Sequence, residues 1–248
     1  MGRVDTTIPQ AFAAAVRRDP TTPLLTWYDD ASGDRTELSG ATLDNWVSKT
    51  ANLLVDGAGL TAGDTVAVLL PPHWQTAAII LGTSAAGLSV ALSGDQDPAS
   101  AGADVLFAGP GQFDEAARWS APERYATGLL PLAMPLREVP EGFVDYVTEV
   151  RNFGDHFRGQ PVGPDDQAMA APVALSHLAV VRTATERAAE LGITAGDRVL
   201  IDTQTHPDPI DWLFAPLLAG ASTVLCANLD RSKVESRSQA EKVSVVLT

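Results

Sequence analysis

Residues 61–73 read TAGDTVAVLLPPH and residues 194–206 read TAGDRVLIDTQTH, so the chain states nearly the same phrase twice, offset by 133 positions (194 − 61). The likeness extends outward, with Gly59-Leu60 answering Gly192-Ile193 and Ala86-Gly87 answering Ala219-Gly220 at the same offset. In both copies a Gly-Asp pair precedes a β-rich apolar run, the pattern of a turn feeding a buried strand. The spacing is far beyond the ~20–50-residue period of solenoids, so each copy is a subdomain and not one turn of a coil.

Working outward from the first copy, Leu43, Trp46, Val47, Thr50 and Leu54 share one helical face, and VDGAG stops that helix with glycines. Residues 65–70 then read as a strand, 74–86 as a helix ended by Gly87, and 88–92 as a strand. The second copy repeats the order, with a helix at 176–191, a strand at 198–201, a helix at 208–219 and a strand at 222–226, followed by a weaker helix near 231–242 and the strand VSVVL. Outside the copies, 9–18 reads as a short helix, LLTWYDD and TELSG pair as a hairpin across residues 31–34, ADVLFAG at 103–109 adds a strand, and 143–150 is a helix. Strands alternating with helices predict an α/β fold of two related layered subdomains with mostly parallel sheets. The divisions expected are 1–110, a connecting segment at 111–163 and 164–248, all in one globular unit.

Composition narrows the function classes. The 248 residues are 45% hydrophobic with a formal net charge of −14, which supports a large core and argues against nucleic acid or an anionic membrane as a partner. The charge-poor stretch between Asp64 and Asp95 is divided by Pro71, Pro72 and His73, so it predicts a buried helix and strand and not a membrane span. MGRVDTTIPQ lacks the apolar centre of a secretory signal, and the loose myristoylation match at Met1-Gly2 has no second membrane signal beside it. Cys226 is the sole cysteine, so no intramolecular disulfide forms. The expected location is the cytoplasm.

The run TELSGATLDNWVSKTANLLVDGAGLTAGDTVAVLLPPHWQTAAIILGTSAAGLSVAL is similar to the N-terminal half-domain of adenylate-forming enzymes, the AMP-binding superfamily of acyl-CoA synthetases, nonribosomal adenylation domains and luciferases. LGITAGDRVLIDTQTHPDPIDWLFAPLLAGASTVL resembles that superfamily's next subdomain. The resemblance implies two related α/β layers, which accounts for the repeated TAGD. It also implies a Thr/Ser/Gly-rich phosphate loop ending in lysine, just before a Thr/Ser-His pair that opens a helix. Here Asp165-Asp166-Gln167-Ala168 resembles the approach and Leu175-Ser176-His177 the exit, but MAAPVA stands between them, without glycine, serine, threonine or lysine. VSVVLT falls about where the family continues toward its adenine-binding segment, metal-linked glutamate, ribose-binding aspartate and catalytic lysine, and none of these is assigned to a residue here. The expectation is a shortened, degenerate relative, a pseudoenzyme, with an acyl-CoA synthetase-like ligase or other acyl/CoA enzyme with a remodelled site as the alternative.

The candidate ligand-binding residues are His73, His177, His206 and Trp212. His73 and His206 follow equivalent strands, at the edge where open α/β sheets bind ligands, and His206 resembles a histidine placed beside the acyl pocket in many acyl-CoA synthetases. The competing reading is that both support the turn before the next helix. Ser176-His177 lacks a nucleophile elbow, so Ser176 is read as a helix cap. His156 has no second histidine or cysteine at ligand spacing, and no metal or cofactor is expected. The expected partners are a small acyl or nucleotide-like ligand and, through residues 230–248, a second copy or another protein, with neither nucleic acid nor membrane.

Overall fold

A computed structural model describes residues 6–92 and 102–248, which leaves the Met1-Gly2 match outside the described part. Helix α1 (Ile8–Arg18) begins at Thr7, whose hydroxyl accepts the Gln10 N–H, and has a proline in its first turn, where a missing N–H costs nothing. Strands β1 (Pro23–Asp29) and β2 (Arg35–Ser39) form the expected antiparallel hairpin. They are followed by α2 (Gly40–Asn52), β3 (Thr65–Leu69), α3 (Trp74–Ala85), β4 (Ser89–Leu92), β5 (Val105–Ala108), α4 (Phe113–Ala116), β6 (Glu123–Ala126), β7 (Val144–Asp145) and α5 (Tyr146–Val150). A second antiparallel pair, β8 (Gln167–Ala171) and β9 (Leu175–Ser176), leads into α6 (His177–Glu190), β10 (Arg198–Asp202), α7 (Ala215–Ala219), β11 (Ser222–Ala227), α8 (Val234–Glu241) and β12 (Val245–Leu247). The pairings are parallel except within the two hairpins, giving the expected α/β class. The differences from the sequence reading are local, among them these. Strands β6 and β8 are short and alanine-containing, with no strong β signal; the helix expected at 208–219 opens as a π-helical turn (Ile210–Phe214); and Ser176 ends a strand.

The repeat is reproduced bond by bond. In the first copy Thr61 N–H donates to the Asp64 carboxylate at 2.7 Å, and in the second Thr194 N–H donates to Asp197 at 2.6 Å. Gly63 N–H reaches Gly87 O while Gly196 N–H reaches Gly220 O, and Ser89 N–H reaches Asp64 O while Ser222 N–H reaches Asp197 O. Gly63 and Gly196 sit at φ +98° and +88°, a left-handed turn that selects glycine just before each buried strand. Aspartate then closes the turn by accepting from the threonine three residues back, so TAGD is the formula for one turn geometry used twice.

The sheet orders extend the duplication. One sheet runs β12-β10-β11-β1-β2 and the other β7-β6-β5-β3-β4-β8-β9. Five strands of each correspond in order: β12, β10, β11, β1 and β2 match β5, β3, β4, β8 and β9. The hairpin that precedes the first copy therefore completes the sheet of the second, and the hairpin that precedes the second completes the sheet of the first. Each hairpin covers an edge that β11 or β4 would otherwise leave unpaired.

Contacts accordingly gather the chain into two compact units that interleave along the sequence, unlike the consecutive division at 110 and 163. The first comprises Met1–Leu43, Pro71–Ala77 and Leu178–Thr248, and the second Asp44–Leu70 and Ala78–His177. In the second unit, Val66 to Leu69 and Val105 to Ala108 are buried, and the Tyr146 and Thr50 hydroxyls meet at 2.7 Å inside the core. In the first unit, Leu25 and Trp27 are buried on β1. Their neighbours Thr26 and Tyr28, which alternate to the other face, join a polar network with Arg35, Arg198 and Glu241. Among the described residues no helix is long and apolar enough to cross a membrane.

Candidate functional site

The carboxyl end of β10 passes directly into a hydrogen-bonded turn. Asp202 Oδ1 accepts the Gln204 N–H at 3.0 Å, its carbonyl accepts the His206 N–H at 3.0 Å, and Thr203 N–H reaches Cys226 O on the neighbouring strand. This turn presents His206, whose Nδ1 lies 2.9 Å from Asp211 Oδ2. Asp211 stands at the start of the π-helical turn, and just ahead of it Asp208 Oδ1 accepts the Ile210 N–H at 2.8 Å. From α6, Arg187 grips both carboxylate oxygens of Asp211, Nε at 2.7 Å and an Nη at 3.2 Å. The Arg187 hydrogen bond is the largest influence on Asp211 and lowers its carboxyl pKa, with the His206 contact acting in the same direction.

An ionised Asp211 can only accept, so it places a proton on His206 Nδ1, and in the neutral ring the lone pair is then on Nε2. Arginine, aspartate and histidine thus form a relay that orients one imidazole as a hydrogen-bond acceptor or base, the orientation logic used by catalytic dyads. The His206 side chain is 18% exposed, unlike the fully buried His73 and His177.

His73 occupies the equivalent place after β3 but does a different job. It is 1% exposed, its Nδ1 accepts the Gln75 N–H at 3.1 Å, and its carbonyl accepts from Ala77, so it caps α3. Burial drives its pKa down to about 3, which keeps it neutral. His177 opens α6, is fully buried, and donates its backbone N–H to Asp166 O at 3.0 Å; burial lowers its pKa to about 4 despite the opposing Asp166 charge. Contacts assign His73 and His206 to the first unit and His177 to the second. Trp212 is 1% exposed and donates its indole N–H to Pro207 O at 3.1 Å, bracing the turn next to His206.

Sequence reasoning missed Arg187 and Asp211. A histidine and an aspartate five residues apart carry no recognised spacing, and the arginine comes from another helix. At the segment expected to stand for a phosphate loop, β8 and β9 are joined by Pro172, Val173 and Ala174, with Val173 62% exposed. No side chain from Met169 to Ala174 offers a donor or a positive charge. A separate recess of about 580 Å³ opens at the amino ends of β1, β10 and β11, between Arg18, Glu37, Arg198 and Glu241. Arg198 there is committed to Glu241 and Thr26, so these charges serve the fold.

A family model described as AMP-binding enzyme matches residues 12–106. A Mycobacterium tuberculosis protein designated a TIGR03089 family protein is 38% identical over 251 residues, spanning 97% of this chain and 100% of that protein. Among solved structures, an acyl-CoA synthetase from Brucella canis superposes with a TM-score of 0.76 at 21% identity, over 99% of this chain and 48% of its own. A fatty acyl CoA synthetase from M. tuberculosis gives 0.72 at 16% identity, over 97% and 49%. The anthranilate CoA ligase AuaEII, solved with anthranoyl-AMP, gives 0.75 at 15% identity, over 99% and 50%. The chain spans about half the length of these solved proteins, and at such identities the likeness fixes the fold.

Proposed function

Because this chain belongs to the TIGR03089 family, within the AMP-binding superfamily, we propose that it is a ligand-binding member of that superfamily that does not adenylate carboxylates with ATP. The observation that carries this reading is the β8–β9 connection. Adenylation needs donors and positive charge against the triphosphate, and the segment from Met169 to Ala174 supplies a strand end and a three-residue apolar turn instead. Each lost charge-assisted contact to phosphate is worth about 1.5–3 kcal/mol, so three such losses weaken nucleotide binding by several powers of ten.

The ligand proposed is a small acyl-bearing molecule at the carboxyl edge of β10, where His206 offers a fixed Nε2 lone pair to a hydroxyl, amide or thiol proton. The same relay favours the rival reading, an acyl/CoA-related enzyme with a remodelled site, because an aspartate-oriented histidine is the form a general base takes.

Pyrophosphate exchange with a broad carboxylic-acid panel separates the two, run beside a thermal-shift screen of ATP, AMP, CoA and acyl-CoA compounds. The expected result is no exchange above a no-protein control, with stabilisation by an acyl compound that His206→Ala abolishes. Substrate-dependent exchange that His206→Ala or His177→Ala removes would establish the rival.

A further inference from the structure

Among the described residues, the rings of Trp27 and His73 in the first unit each bury a side-chain N–H without an acceptor. Gln75 N–H occupies His73 Nδ1, so the ring proton sits on Nε2. That Nε2 is buried and has no hydrogen-bond partner among the described residues, and the same is true of Trp27 Nε1. The two rings meet edge to face with centroids 4.4 Å apart. Thr36 Oγ1, on the residue paired with Trp27 across β1 and β2, is a third buried atom without a partner. By contrast, Trp212 satisfies its indole on Pro207. A buried donor left unpaired is destabilising, so two in touching rings need a physical explanation.

We propose that Trp27 and His73 form a recognition point for the carbonyl oxygen of a neutral acyl group, such as an amide, ester or thioester. Indole N–H can only donate, and His73 at Nε2 can only donate, so the complement is an atom that only accepts. A carbonyl oxygen meets that condition with two lone pairs. A water accepting both bonds still has two hydrogens of its own to place, with Thr36 Oγ1 as the acceptor at hand. A carboxylate is the weaker match, because both donors are uncharged and a buried anion facing them would lack a counter-charge. The low pKa of His73 agrees, since the ring stays neutral across the physiological range. This recognition point does not depend on the His206 reading, and either stands if the other fails.

The test follows the indole N–H resonance of Trp27 in the full chain by ¹H–¹⁵N correlation, assigned among the five tryptophans with Trp27→Phe. Butyramide and S-ethyl thiobutyrate are titrated, with butyrate as the charged control. The expected outcome is a saturable downfield shift with the two neutral carbonyl compounds and a much weaker response to butyrate. His73→Ser keeps an oxygen to cap α3 but removes the Nε2 donor, and it weakens butyramide binding about tenfold. An indole resonance unmoved by either neutral compound, an equal response to butyrate, or a strong cross-relaxation to a bound water that persists on titration overturns the proposal. Should His73→Ser fail to fold, the wild-type titration decides alone. His206→Ala leaves the indole response intact, which separates this result from the fate of the His206 site.

Discussion

At the residue scale, similar histidines do unlike work because their surroundings differ. His206 is legible in the sequence as a residue beyond a strand end, but its partner Asp211 and the Arg187 that holds Asp211 depend on how α6 packs. Asp211→Asn keeps the shape and replaces a fixed acceptor with an amide that can turn either way. It should weaken any His206-dependent ligand by about tenfold, read by calorimetry against Asp208→Asn as a control. His73 and His177 give a second prediction. Their folded pKa values, about 3 and about 4, lie below the ordinary 6.5, so the unfolded chain binds more protons between those limits. Stability is then fully present above the unfolded value and falls as pH drops from 6.5 toward 4, by roughly 1 kcal/mol per pH unit for each histidine. Urea unfolding at a series of pH values should show this slope, and His177→Gln should reduce it by about half; an unchanged slope would mean that His177 protonates without unfolding.

At the element scale, the TAGD turn and helix α8 make opposite kinds of claim. The turn is local, so its chemistry was readable from residue types alone. Gly63→Ala and Gly196→Ala each force a side chain into the left-handed region with open space around it, so the cost is backbone strain without a clash. Each should destabilise by about 1–2 kcal/mol, and the two should agree closely because the turn is the same. Paired denaturant melts with sharply unequal losses would break the equivalence. Helix α8 has no strong amphipathic pattern, and two buried charges hold it: Arg237, paired with Asp30, and Glu241, 8% exposed at its side chain and bonded to Tyr28, Arg35 and Arg198. Burial acts to raise the Glu241 pKa, but those donors outweigh it and bring it to about 2. The depressed folded value contributes stability that is present above the usual 4.5 and is lost as pH falls toward 2. Glu241→Gln should cost about 2–3 kcal/mol at neutral pH and flatten the acid limb of the stability profile in that window.

At the scale of the whole molecule, the duplication is more than two copies in a row. Each copy's central strands carry its own TAGD turn, yet each sheet is finished by the hairpin that precedes the other copy. Among the described residues, strand β12 ends its sheet, bonded on one side to β10, with Val246 43% exposed. An unpaired edge of this kind can recruit a second copy. If residues 230–248 pair in this way, light scattering gives a dimer mass that Val246→Lys returns to monomer. A monomer at every concentration ends the association proposal.

The sequence by itself determined the α/β class, the repeat, the first hairpin and the turn before each buried strand, because these rest on period, residue type and spacing within a few positions. It also showed the apolar, donor-free character of 169–174, which is a matter of composition. Tertiary structure alone decided which sheet each hairpin joins, since a hairpin presents the same edge to either copy and local propensity does not choose between them. The same holds for the Arg187–Asp211–His206 relay and for Trp27 against His73: the pairs are separated by 24, 5 and 46 positions (211 − 187, 211 − 206 and 73 − 27), and contact between them exists only after helices and strands have packed. Burial then sets the chemistry, leaving one histidine oriented and partly exposed and two neutral in the core, a distinction that identical side chains cannot carry in sequence.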